Sequence, residues 1–247
     1  VPSLWKDETF VTKYQQDLED FYNFLVELNI DIYIVEHILA FPVNLFCSGH
    51  AEGDIFFLRI VDNFMDQAIL TIVKLINDSG ESSRPVYTLE NFKNLIRRAL
   101  NDEAKELLDK NLKKLNIKKD AKDVLEKAKI IRNKRIAHHT SVVFRSNFGE
   151  ITESIRLLFS EVKTIVASLN KYYEALTLGA EVIMLPLTYE DNKSDVDWTL
   201  DCIAKNSIIL NMPETMPDRW PYERKRMSEQ DLQDLNHYRK KFNIPEV

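Results

Sequence analysis

Cysteine is almost missing. Cys47 and Cys202 are the whole supply, so no disulfide framework can be built, and their separation has no metal-ligand spacing. A reducing, cytoplasmic setting is expected on that ground, with each cysteine serving as a small core residue. Glycine is scarce, at 5 residues in 247, and there are 8 prolines. So few turn formers disfavour a sandwich or a barrel and leave no glycine-rich loop to cradle a phosphate. No run approaches the roughly 18 uninterrupted apolar residues of a membrane span, and the opening VPSLWKDETF lacks a basic segment followed by an apolar one, so neither a span nor a leader is expected. The histidines, at 37, 50, 138, 139 and 237, form no HExxH or paired ExxH pattern, so no metal or other cofactor is expected.

What the chain does hold is 45% hydrophobic residues, enough for one substantial core, in segments of Leu, Ile, Lys and Glu with helical spacing. An all-α fold follows. Phe10, Tyr14, Leu18, Phe21 and Leu25 mark a long helix from about residue 8 to 39, expected to break near Asn29. AFPVNLFCSGHAEGD reads as a connection. The next helix, through IFFLRIVDNFMDQAILTIVKLIND, has Asp54 as its expected cap, and its apolar residues on most faces predict a central place in a bundle. Thr88 is placed to cap LENFKNLIRRAL, and Asn101 or Asp102 to cap EAKELLDKNLKKLN. Asp120 opens a further helix, and Thr152 begins a long one that stops around Gly179. The division expected is a bundle of five to seven helices over residues 8–180 and a C-terminal extension over 181–247, packed on the bundle or on a partner subunit. That extension holds five of the eight prolines and two of the three tryptophans, and Ser194 and Ser228 are placed to cap two short helices in it.

The formal charge of −6 hides an asymmetry. Between Lys93 and Arg135 there are 15 Lys and Arg against 7 Asp and Glu, a local +8, which leaves −14 for the rest. Such a block commonly forms a solvated face. This one leads directly into KIIRNKRIAHHT, Lys129 to Thr140, where two histidines follow the cations. On a helix Arg135 lies three and four residues from His138 and His139, and Arg132 seven from His139, so these pairs share a face. Arg132 and His138, six apart, converge if the helix ends or tightens before His138, or if the two groups come from facing subunits. Imidazole exchanges protons near neutral pH, and guanidinium offers a fixed donor fork to phosphate oxygens. Together they suffice for attack of an RNA 2′-hydroxyl on the neighbouring phosphodiester. The competing reading is a cationic helix C-terminus that complements the macrodipole. Tyr172, Tyr173, Trp198 and Trp220 have the faces to stack bases, although packing is the commoner use of such rings.

RNKRIAHH resembles the signature of the HEPN superfamily, an Arg, then a polar residue, then a His after four to six intervening positions. FFLRIVDNFMDQAILTIVKLINDSG, YTLENFKNLI and KIIRNKRIAHHT, in that order, resemble the abortive-infection AbiU-like branch over roughly residues 10–180. The resemblance implies a helical homodimer in which the motifs of two subunits meet, and a metal-independent ribonuclease of a toxin–antitoxin or phage-defence system. It assigns Arg132 to phosphate binding, Asn133 to orienting the site, and His138 to acid and base work, with His139 in reserve. Lys129, Lys134 and Arg135 would then hold RNA, and an antitoxin or regulatory protein would be a partner. Where some members carry a modifiable tyrosine two residues after the histidine, this chain has Thr140. The alternative reading is a catalytically silent HEPN-like dimer that binds RNA or protein.

Overall fold

The structure, a computed structural model, describes residues 4–6, 9–47, 51–77, 88–113, 115, 117, 121–131, 159–178, 190–210 and 220–247. Among them the chain is all-α, with ten helices: α1 (Thr9–Ala40), α2 (Val43–Cys47), α3 (Ala51–Asn77), α4 (Leu89–Ala99), α5 (Asp102–Leu112), α6 (Lys122–Ile131), α7 (Phe159–Leu176), α8 (Glu190–Leu210), α9 (Trp220–Arg226) and α10 (Glu229–Lys241). The β pairing among the described residues amounts to one antiparallel bridge, between Trp5 and Leu100. The chain divides into two compact units, one of residues 1–32 and 65–189, the other of 33–64 and 190–247.

The first unit is organised by the apolar stripe of α1. Tyr14, Leu18, Phe21, Leu25, Leu28 and Ile32 recur every three or four residues and are all buried. They share a core with Ile69, Ile72 and Val73 of α3, and with Val162, Ile165, Val166 and Leu169 of α7. Two tyrosines join α1 to α7. The Tyr14 hydroxyl lies 2.9 Å from the carbonyls of both Leu176 and Thr177, and the Tyr173 hydroxyl donates to Leu18 O at 2.9 Å. Burial pushes both phenols well above their ordinary pKa, so they stay protonated and donate.

Several helix ends follow the chemistry read from sequence. Thr88 caps α4 by accepting from Asn91 N, and Asn101, rather than Asp102, caps α5 by accepting from Ala104 N. Others differ. α1 runs unbroken through Asn29, whose Nδ2 donates to Leu25 O and whose amide exchanges two hydrogen bonds with that of Asn170 on α7. The polar side chain is thus satisfied without opening the helix. α3 begins at Ala51, which puts Asp54 inside the first turn rather than at the cap. Most of its buried residues, Ala68, Ile69, Ile72, Val73, Leu75 and Ile76, lie in its second half, whereas in the first half Phe57 is buried but Phe56 and Leu58 are 59% and 62% exposed. At the end of α7 the left-handed residue is Leu178, with φ 50°.

The second unit has its own core, in which Ile38, Phe41, Phe46 and Phe57 meet Leu200, Ala204, Ile208 and Leu235. Leu200, Ala204 and Ile208 form one stripe of α8, which leaves Cys202 off that stripe and exposed, not a core residue as expected. The side chain of Cys47 lies outside the described residues. Ser194 falls inside α8, which already begins at Glu190, instead of capping it. Ser228 caps α10 as expected, in a reciprocal box: its hydroxyl accepts from Asp231 N, and Asp231 Oδ2 accepts from Ser228 N. α9 was not foreseen; its Pro221 sits in the first turn, where a missing N–H costs nothing. The chain end returns along α10. Arg239, 1% exposed, donates to Pro245 O, while the Asn236 amide pairs with both the N–H and the carbonyl of Val247. On α1, the Tyr33 hydroxyl donates to Asp197 of α8 at 3.1 Å, beside His37, whose Nε2 lies 3.6 Å from the same carboxylate.

Two predictions follow from the first unit's core. Phe92 is fully buried, against Tyr14 and Phe21. Phe92→Ala should lower unfolding free energy by about 3–5 kcal/mol in a urea titration. Asp31 is a buried carboxyl whose pKa is pushed up to about 7, first by burial and then by the charge of Glu27. A carboxyl raised in the folded state binds more protons there than in the unfolded chain, so its contribution makes stability fall as pH rises from its ordinary value of 3.8 to about 7. Asp31→Asn should flatten that part of the stability curve, read by urea titrations across the window.

Candidate functional site

The residues assigned from sequence to catalysis and RNA contact, Arg132, Asn133, Lys134, Arg135, His138 and His139, lie outside the described residues, as does the side chain of Lys129. What is described is the frame on either side of them. α6 carries the chain to Ile131, one residue before the motif, and it is held by Leu125 and Ala128 together with Ala121 just ahead of it, all buried in the first unit's core. The spacing of three and four along this stripe fixes which face of α6 turns inward. α7 takes the chain back at Phe159, which packs against the same core. Lys127 Nζ stands 2.9 Å from Glu161 Oε1, which ties the middle of α6 to the first turn of α7.

The basic block proves only partly a field of open cations. Among the described residues Lys93 pairs with Glu90, Arg97 with Asp109 at 2.8 Å, Lys105 with Asp102 at 3.1 Å, and Lys127 with Glu161. Asp102 also takes Lys6, and these two ammoniums hold its carboxyl below the usual range. Ion pairs this exposed stabilise the fold little. Glu90 and Glu161, which lie outside the block, do lower the net field that it projects.

The same unit contains a cleft of about 310 Å³. Ile76 of α3, Leu89 of α4, and Leu112, Leu115 and Ile117 give it aliphatic walls. Its polar members are Glu90, Lys93, Lys113 and Tyr172. Glu90 accepts from Lys93 Nζ through Oε1 and from the Tyr172 hydroxyl through Oε2 at 3.2 Å. Burial, and then the Glu90 charge, push the Tyr172 phenol well above its ordinary pKa, which keeps it a donor. Tyr172 and Tyr173 are thus core residues, Trp220 packs on the second unit's core, and Trp198 stands 69% exposed on α8. Sequence reading missed Glu90 and Lys93. Their i, i+3 spacing on α4 signals only a surface pair, and the contact with Tyr172 spans 82 residues.

Among the described residues no group of three or more His, Cys, Asp or Glu gathers where a metal could be held, and no helix is long and apolar enough to cross a membrane. The chain matches the HEPN AbiU2 family (AbiU2) over residues 15–195, and belongs to it. No curated protein and no solved structure matches. Tyr172→Phe, which removes one donor from the Glu90 carboxylate, should destabilise the fold by about 1–2 kcal/mol in urea, with the denaturant slope unchanged.

Proposed function

We propose that this member of the HEPN AbiU2 family is a metal-independent RNA endonuclease of the toxin or phage-defence type, acting in the cytoplasm as a homodimer. The observation that carries this reading is the position of Arg132, Asn133 and His138: they fall inside the stretch that matches the family, directly after α6. The dimer would bring the motifs of two subunits to one RNA strand. A protein that covers the motif would act as antitoxin.

In this reading Lys129, Lys134 and Arg135 bind the RNA backbone, aided by the basic block. His138 takes the proton from a 2′-hydroxyl as its oxygen attacks the adjacent phosphorus. The bond from phosphorus to the 5′-oxygen breaks, and that oxygen takes up a proton from an imidazolium, either His138 or His139. Arg132 stabilises the charge that builds on the phosphoryl oxygens. Asn133 orients the scissile group. The products are a 2′,3′-cyclic phosphate and a 5′-hydroxyl, and nothing is oxidised or reduced.

Purified protein should shorten single-stranded RNA in EDTA and leave those two ends, identified by mass spectrometry. His138→Ala should lower the rate about 10²–10⁴-fold, the usual contribution of a positioned proton carrier. Arg132→Ala should lower it about 10²–10³-fold. If His138→Ala cleaves as fast as wild type, His138 has no part in the mechanism. RNA that shifts in a gel without shortening would make the chain a binding module.

A further inference from the structure

The cleft beside Glu90 has no part in the cleavage reading, yet its chemistry is that of a binding site. Its volume, about 310 Å³, is at the lower end of small-molecule sites. It combines three features: aliphatic walls, a carboxylate that accepts from Lys93 and Tyr172, and a second ammonium, Lys113, on an exposed residue of its lining. Each selects for a different part of a ligand. Aliphatic walls suit the faces of a flat ring. A carboxylate can accept about four hydrogen bonds, so Glu90 can keep Lys93 and Tyr172 and still accept from an N–H edge. Lys113 suits an anion. Inorganic phosphate would make no use of the walls, and a fatty acid has no N–H for Glu90. A nucleotide has all three parts.

We infer that this cleft binds one nucleotide, its base between the aliphatic side chains with an N–H edge on Glu90 and its phosphate at Lys113. Guanine fits best, because its imino and amino groups present two adjacent N–H donors to one carboxylate. The ligand is either a free nucleotide or one unit of an RNA strand. The cleft is lined by none of the residues assigned to cleavage, and its test reads binding rather than cleavage, so either proposal can fail without the other.

The experiment is calorimetry on the full chain with the four nucleoside 5′-monophosphates and with short single-stranded RNAs that contain or lack guanine. Backbone amide shifts of Glu90, Lys93 and Lys113 locate the contact. Guanosine monophosphate should bind with a dissociation constant below about 1 mM, the weak end of specific binding. Lys113→Glu, an exposed change that leaves the core alone, should weaken it tenfold or more. Glu90→Gln should remove the preference for guanine. Leu115→Trp should fill the cleft and abolish binding, with far-UV circular dichroism confirming the fold. Tighter binding of the guanine-containing RNA than of the free nucleotide assigns the site to a strand, and the reverse order assigns it to a free effector. No saturable binding of any monophosphate at about 1 mM overturns the proposal, as does binding that Lys113→Glu and Leu115→Trp leave intact.

Discussion

Two buried phenols that cross between α1 and α7 hold the first unit in register. The last carbonyls of a helix have no partner inside it. At the end of α7, those of Leu176 and Thr177 face the Tyr14 hydroxyl, a donor from the other end of the sequence. Tyr173 returns the contact to the backbone of α1 at Leu18. The amides of Asn29 and Asn170 add a third link farther along the same pair of helices. Apolar burial supplies most of the attraction but is indifferent to small slips along the helix axes. Hydrogen bonds are not indifferent. A one-turn slide would strand two phenols inside the protein, each at a cost of about 1–3 kcal/mol, and would part the two half-buried amides.

That register matters because α7 is the return arm of the segment that bears the Arg/His motif. The outgoing arm, α6, is fastened to the same core by two alanines and a leucine, and by Lys127 to the first turn of α7. Alanine brings little apolar area but lets a helix lie close to its neighbour. Both arms are thus referred to α1, one through core packing and one through core packing plus directed hydrogen bonds. A reaction that depends on sub-ångström placement of proton carriers needs such a frame before any catalytic group is considered.

The features legible in sequence were those decided within a few residues. The caps at Thr88, Asn101 and Ser228 are short-range exchanges between a side chain and nearby N–H groups, so composition and spacing reveal them. The stripe of α1 was equally plain. Asn29 was misread because its partner is 141 residues away, and nothing local says that its amide will be satisfied. Cys202 and Ser194 were misjudged for a related reason: their setting depends on where α8 begins and which face it buries. Apolar spacing says that a helix has an inner face, not what covers it, so the meeting of residues 190–247 with 33–64 could not be read beforehand. The Arg/His motif was legible as chemistry and as an order of segments. The cleft was not, since its carboxylate and phenol look like a surface ion pair and a core aromatic until the fold joins them.

The charge distribution also changes meaning once the pairs are known. The count of +8 over Lys93 to Arg135 already subtracts Asp102 and Asp109 but not Glu90 or Glu161, which lie outside that span. Among the described residues four cations of the block face these carboxylates. At physiological salt, exposed charges farther apart than about 8 Å are largely screened from one another. The attraction of this block for a polyanion is therefore weaker than its formula suggests, and it can grow as a phosphate displaces a carboxylate from a lysine or arginine already in position. Such an exchange keeps the long side chains extended before the ligand arrives, which lowers the entropy lost on binding. The pairs that temper the field in the free protein thus prepare the same cations to hold an anion.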